Sequence, residues 1–438
     1  ILTLSGLVFF AWGEPIFVLL LMFTICLDYA CGLGISKYKE NKKMKRLFLL
    51  LSVIINLSLL AVFKYSDMFV GTINSIIGTN IPLPNIPLPI GISFYTFQSM
   101  SYTIDMYRDN IKVQKNLISY ATYVSLFPQI VAGPIVRYED VQNEIDTRKI
   151  NIDLISQGIG IFLKGLAKKM LIANNIGALW SIIKIQNLNE MPALTAWLGI
   201  LAFTFQIYYD FSGYSDMAVG LGKMLGFNFP ENFNFPYMAK SISEFWRRWH
   251  ITLGSWFKSY VYFPLGGNRK GKYQTIINLA IVWGVTGLWH GASWNFLFWG
   301  LYFGFIIIAE KLFLNKWLEK IPSFARITYS FLLVVFGWVM FEMSTLENIF
   351  GYFKAMFFAN GAGLYNNDTI YYILSYGIIF IIAIFFSSNY YSKKYEILKE
   401  KYPKTFGVII PIVQVATFII CTAYLVDSTY NPFLYFRF

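Results

Sequence analysis

Long apolar runs dominate this chain and limit what it can fold into. Residues 16–27, 47–63, 194–207, 326–341 and 370–386 each read as spanning or nearly spanning a bilayer, which takes about 20 mostly apolar residues. Counted along the whole chain, such windows predict roughly eleven spans. Of the 438 residues only 14% are charged and 56% are hydrophobic. A soluble domain carries about a quarter charged residues, so this chain could not cover its own surface in water. The expectation is one all-α, polytopic membrane domain over residues 1–438. The chain opens on Ile1, and residues 1–12 read as the tail of a span whose beginning is missing.

The charges set the orientation. The net charge of +12 comes from 36 basic and 24 acidic residues. The basic residues fall in short loops between apolar runs, a pattern of membrane orientation that excludes nucleic acid as the natural partner. The loop 37–46 carries six basic residues and one acid, which places it in the cytoplasm. The run 47–63 then leads outward to the uncharged loop 81–89, with four prolines. A second basic cluster, 393–404, also belongs inside, so the last run, 405–426, crosses outward and delivers residues 427–438 to the outer face. Residues 240–272 mix seven basic residues with Trp246, Trp249 and Trp256. Arg and Trp together mark a segment in the headgroup layer, read here as interfacial or re-entrant helix on the cytoplasmic side. Cys26, Cys31 and Cys421 lie in or beside apolar runs without the spacing of a disulfide framework or a metal site.

The chemistry-bearing candidates are few. The chain has two histidines, His250 in FWRRWHITLGSWF and His290 in GVTGLWHGASWNFLFWG. An ionisable group in an apolar stretch marks a site, although His290 could also be a residue hydrogen-bonded to a neighbouring helix. Gly284, Gly287 and Gly291 around it allow another helix or a substrate to come close. An imidazole exchanges protons near neutrality, as acyl transfer requires. His250 reads locally as structural or as positioning a donor. Asp210 and Asp216 interrupt an apolar segment and call for pairing with a nearby Lys or Arg, or for a cavity to line. Asn228, Asn232 and Asn234 read as loop residues. The C-terminal NPFLYFRF fits an aromatic belt, yet the phenol of Tyr435 lies between a thiol and an alcohol in acyl-transfer potential. A thioester, a phenyl ester and an alkyl ester would run downhill in that order.

The segments YYDFSGYSDMAVGLGKMLGFNFPENFNFPY, SEFWRRWHITLGSWFKSYVYFPLGGNRKGK and GLWHGASWNFLFWG, with AWGEP at 11–15 and FPQIVAGPIVRY at 127–138, resemble the membrane-bound O-acyltransferases, in particular the branch of alginate O-acetylases and peptidoglycan O-acetyltransferases. The resemblance implies spans and re-entrant helices around a central funnel or tunnel. It implies a bacterial cytoplasmic-membrane enzyme that moves an acyl group from a cytoplasmic thioester, such as acetyl-CoA, without a metal. The expected catalytic residues are His290, His250 and Tyr435. Tyr435 would carry the acyl group in the tail motif FLYFRF, which resembles the signature of a small peptide partnering the teichoic-acid D-alanylation enzyme. The expected substrate-contacting residues are Asp210, Asp216, Arg247, Arg248, Trp289 and Asn295. The expected partners are an extracytoplasmic acetyltransferase, a polysaccharide acceptor (peptidoglycan, alginate-like or cellulose-like) and membrane lipid. Many relatives carry a further histidine where this chain has Phe303, so a mechanism needing that third histidine is not expected. D-alanyl or lipid acyl transfer stands as the alternative. A transporter would show paired repeats with broken helices, which the sequence lacks.

Overall fold

The structure, a computed structural model, describes residues 1–427 and residue 433. Its elements are helices. Among the described residues the only β pairing is an isolated bridge between Phe233 and Trp249. Six helices there are long and apolar enough to cross a membrane: Val18–Lys37, Lys42–Ile77, Trp294–Leu318, Ser323–Glu342, Asn367–Phe386 and Pro403–Asp427. The sequence count of roughly eleven is therefore met in class but not in number. The difference lies in helices of mixed character. The expected run 194–207 is part of a 32-residue helix, Ala193–Met224, whose polar residues remove it from the six. The surfaces of the spans support the class. Val408, Ile412 and Ile419 of the last helix are each more than 60% exposed. Such a large apolar face is not left open to water but suits lipid.

The chain gathers into two compact units. The first comprises residues 1–159, 218–231 and 255–261. In it α1 (Val18–Lys37), α2 (Lys42–Ile77) and α3 (Ile92–Tyr107) are tied by one polar knot. The fully buried carboxylate of Asp28 on α1 accepts hydrogen bonds from Ser52 (2.6 Å) and Asn56 (2.9 Å) on α2, and from Ser99 on α3. Where lipid supplies no water, such a group must be satisfied inside the protein. Lys45 pairs with Asp109 at 2.7 Å, so α2 and α3 return the chain to the side of the basic loop 37–46. Arg108 then donates to the Ser259 carbonyl at 3.1 Å, which sets part of the expected interfacial zone on that same side.

The second unit comprises residues 160–217, 232–254 and 262–438. Most of the 32-residue helix, α4, belongs to it. Two helices too short to span follow, α5 (Ile242–Arg248) and α6 (Ile251–Phe257). The hairpin of α7 (Lys272–His290) and α8 (Trp294–Ala309) comes next. Glycines let these two helices touch backbone to backbone. A Cβ on Gly287 would meet the Phe296 carbonyl oxygen at 2.3 Å, and one on Gly300 the Trp283 carbonyl oxygen at 2.3 Å. A Cβ on Gly284 would meet only leucine methyls at 3.8 Å. The motif glycines are thus unequal. Gly287→Ala should lower the stability of the detergent-solubilised protein by about 1–3 kcal/mol, read as a drop in apparent Tm, whereas Gly284→Ala should leave it unchanged. Equal effects would contradict this packing.

Candidate active site

The two histidines come together in the second unit. His290 is the last residue of α7 and is 3% exposed. Its ring lies edge-on to Trp299 on α8 (centroids 4.8 Å apart) and to Phe341 (5.7 Å). His250, 1% exposed, is the second of the two residues between α5 and α6. One indole separates the imidazoles: the Trp289 ring centroid is 5.0 Å from that of His290 and 5.9 Å from that of His250. Phe303, fully buried, packs against Trp246, Trp283 and Trp299 as part of an aromatic wall.

The local backbone forces His250 inward. Its φ is +45°, in the left-handed region that a residue with a Cβ occupies only at a cost of about 1–3 kcal/mol. The flanking chain holds it there. Ile251 N donates to the Asn232 carbonyl at 3.0 Å, and Asn234 N to the Arg248 carbonyl at 2.9 Å. The Asn232 side-chain oxygen meets His250 Nδ1 at 3.1 Å and accepts from Thr252 N at 3.2 Å and Thr252 Oγ1 at 2.9 Å. The sequence alone places Asn232 in a loop. No spacing rule links it to a histidine 18 positions later, and the link exists only once residues 232–234 fold back along the end of α5.

The structure places the other expected site residues in different settings. Asp210 on α4 is ion-paired to Lys169 at 2.5 Å. Asp216 pairs with Lys168 at 2.8 Å and Lys164 at 3.6 Å. Both carboxylates are thus paired with lysines. Gly165 and Gly213 bring the two segments together, since a Cβ on Gly165 would meet the Gly213 carbonyl oxygen at 2.5 Å. Arg248 bonds Glu244 at 2.7 Å one turn back on α5. Burial alone would raise the Glu244 carboxyl, but the Lys240 N–H and the Arg248 guanidinium outweigh it and hold it below the usual glutamate range. Arg247 is exposed. Asn295 is buried at the start of α8, bonded to Ser293. Tyr435 lies outside the described residues. Phe433, two positions earlier, is buried. Its ring stacks on Tyr214 with centroids 4.8 Å apart and lies 5.5 Å from Phe211, and Phe211 in turn is edge-on to His250 at 4.8 Å.

Residues 4–353 match the membrane-bound O-acyltransferase family, a stretch containing both histidines and Asn232. The chain belongs to that family. It is a multi-pass membrane acyltransferase. Among the proteins it is similar to is the probable alginate O-acetylase of Pseudomonas aeruginosa, 40% identical over 362 residues that cover 82% of this chain and 69% of the relative. The peptidoglycan O-acetyltransferase of Helicobacter pylori is 34% identical over 393 residues, covering 83% and 74%. The teichoic acid D-alanyltransferase of Bacillus subtilis is 28% identical over 265 residues, covering 58% and 67%. As in the sequence resemblance, the O-acetylating relatives stand nearer than the D-alanylating one.

The Lys169–Asp210 pair yields a test of the acyltransferase core. Removing one member strands the other charge, which costs about 3–5 kcal/mol for a buried pair. Lys169→Met should sharply reduce the apparent Tm, and adding Asp210→Leu should recover most of the loss. A double variant no better than the single one would contradict the pairing.

Proposed function

We propose that this membrane-bound O-acyltransferase takes an acetyl group from a thioester on the cytoplasmic side and carries it as an ester of Tyr435. A separate extracytoplasmic transferase would then use it to O-acetylate a cell-envelope or secreted polysaccharide. The observation that carries the reading is Phe433. It stacks within the wall that holds His250, and two residues of chain reach at most about 7 Å. On this proposal the Tyr435 phenol works at the imidazoles from that anchor. The names of the alginate and peptidoglycan relatives support acetyl as the group and polysaccharide as the acceptor. Acetyl-CoA or another acyl thioester serves as donor, and the bacterial cytoplasmic membrane is the compartment.

The reaction balances without a further reagent. His290 accepts the phenolic proton as the Tyr435 oxygen attacks the thioester carbonyl. The new C–O bond forms, the C–S bond breaks, and the proton passes to the departing thiolate. Each role suits its residue, because a histidine can take and return a proton near neutral pH. His250, beyond Trp289, orients the donor. Arg247, exposed, is open to an anionic donor from the cytoplasmic side, whereas Arg248 fixes α5 through Glu244. Asp210 and Asp216 line the site as lysine-paired walls, and Asn295 sets the start of the helix that follows His290.

Incubating the purified protein with isotope-labelled acetyl thioester and digesting it should yield a C-terminal peptide with an acetyl adduct on Tyr435. His290→Ala should abolish the adduct, about a hundredfold or greater loss, while the protein remains folded in the membrane. Tyr435→Phe should abolish polysaccharide acetylation. Full activity of Tyr435→Phe would overturn the carrier role, and an undiminished adduct in His290→Ala would overturn the assignment of the base.

A further inference from the structure

Asn232 is the residue whose geometry says most about how His250 can act. Its carboxamide has two ends that are easily interchanged by a half-turn, so their orientation must be deduced from neighbours. Thr252 supplies the deduction. Its backbone N–H can only donate, and it meets the carboxamide at 3.2 Å, with the Thr252 hydroxyl at 2.9 Å on the same atom. That atom must therefore be the oxygen. The half-turned amide would set an N–H against an N–H in a buried place, leaving both donors unsatisfied. The orientation holds even though it leaves the Asn232 amide nitrogen, in a side chain only 2% exposed, without a hydrogen-bond partner among the described residues.

The same oxygen faces His250 Nδ1 at 3.1 Å. An acceptor facing Nδ1 requires a proton on Nδ1, and in a neutral imidazole the second nitrogen is then the acceptor. The rest of the environment keeps the ring from turning to exchange its nitrogens. The His250 backbone is fixed in the left-handed region between α5 and α6, and Phe211 and Trp289 close on the ring edge-on at 4.8 and 5.9 Å. We infer that Asn232 is a positioning residue that locks His250 in the Nδ1–H tautomer, so that Nε2 is the proton or hydrogen-bond acceptor of the ring and cannot serve as the donor to an oxyanion. The tautomer stands on geometry alone. Its consequence for catalysis rests on the acyl-transfer reading above, in which Nε2 accepts from the donor and orients its thioester.

With only two histidines in the chain, the tautomer can be read directly. Full-length protein labelled with 15N-histidine, reconstituted in lipid, gives two imidazole spin systems, and His290→Gln assigns the remaining one to His250. The wild-type His250 should show a protonated Nδ1 and an unprotonated Nε2. Asn232→Ala should move the proton to Nε2 and slow acetyl transfer by about a hundredfold. Asn232→Asp, which keeps an acceptor in place, should retain the wild-type tautomer and recover activity relative to alanine. A wild-type His250 unprotonated at Nδ1 would overturn the inference, as would an Asn232→Ala spectrum identical to wild type. The wild-type spectrum decides the tautomer even if the alanine variant does not fold. A wild-type protein with the inferred tautomer but no acetyl transfer would defeat the proposed function and leave this inference standing.

Discussion

Hydrocarbon offers a polar side chain nothing to bond to, and the internal architecture of this protein follows from meeting that demand. Each buried polar group that matters has drawn distant segments together. Asp28 collects hydroxyl and amide donors from two other helices. Lys169 reaches Asp210 on a different helix. Asn232 accepts three hydrogen bonds around the turn that carries His250. Apolar burial does little to choose between helix arrangements in lipid, because tails are as apolar as leucine. The polar contacts and the glycine approaches are what choose.

The site is built on the same economy of contacts. The α7–α8 hairpin closes on Gly287 and Gly300, whose missing side chains let the backbones meet, and that closure brings Trp299 against His290. Trp289, one residue before His290, reaches the other imidazole. A strained backbone at His250 turns its ring into the interior rather than toward headgroups. Two histidines far apart in the chain therefore share one aromatic enclosure, to which Phe433 is also bound through Phe211.

The spacing of residues carried some of this and not the rest. Apolar runs gave the membrane class, and the Lys45–Asp109 and Arg108–Ser259 contacts join the basic loop 37–46, the end of α3 and part of residues 240–272. The Trp-His motifs marked both histidines, and the interrupted apolar segment flagged Asp210 and Asp216 but not which lysines pair with them. The span count was harder to read, because a helix such as Ala193–Met224 trades hydropathy for buried polar function. Asn232 was missed for a different reason. A single asparagine among three in a Phe-Asn-rich loop has no periodicity to betray it, and its partner is chosen by a chain reversal. The docking of Phe433 onto Tyr214 and Phe211 joins residues too distant in sequence for any local pattern to show.

The central claim is that the C-terminal tail brings its tyrosine to the two histidines. A photo-crosslinking benzophenone amino acid introduced at position 435 of the full-length protein in native membranes tests it most directly, with the crosslinked peptides mapped by mass spectrometry. The account predicts that crosslinks fall within residues 208–214, 245–257 and 284–300, the segments around Phe211, His250 and His290. Crosslinks that avoid all three segments in favour of lipid or other parts of the chain would contradict it.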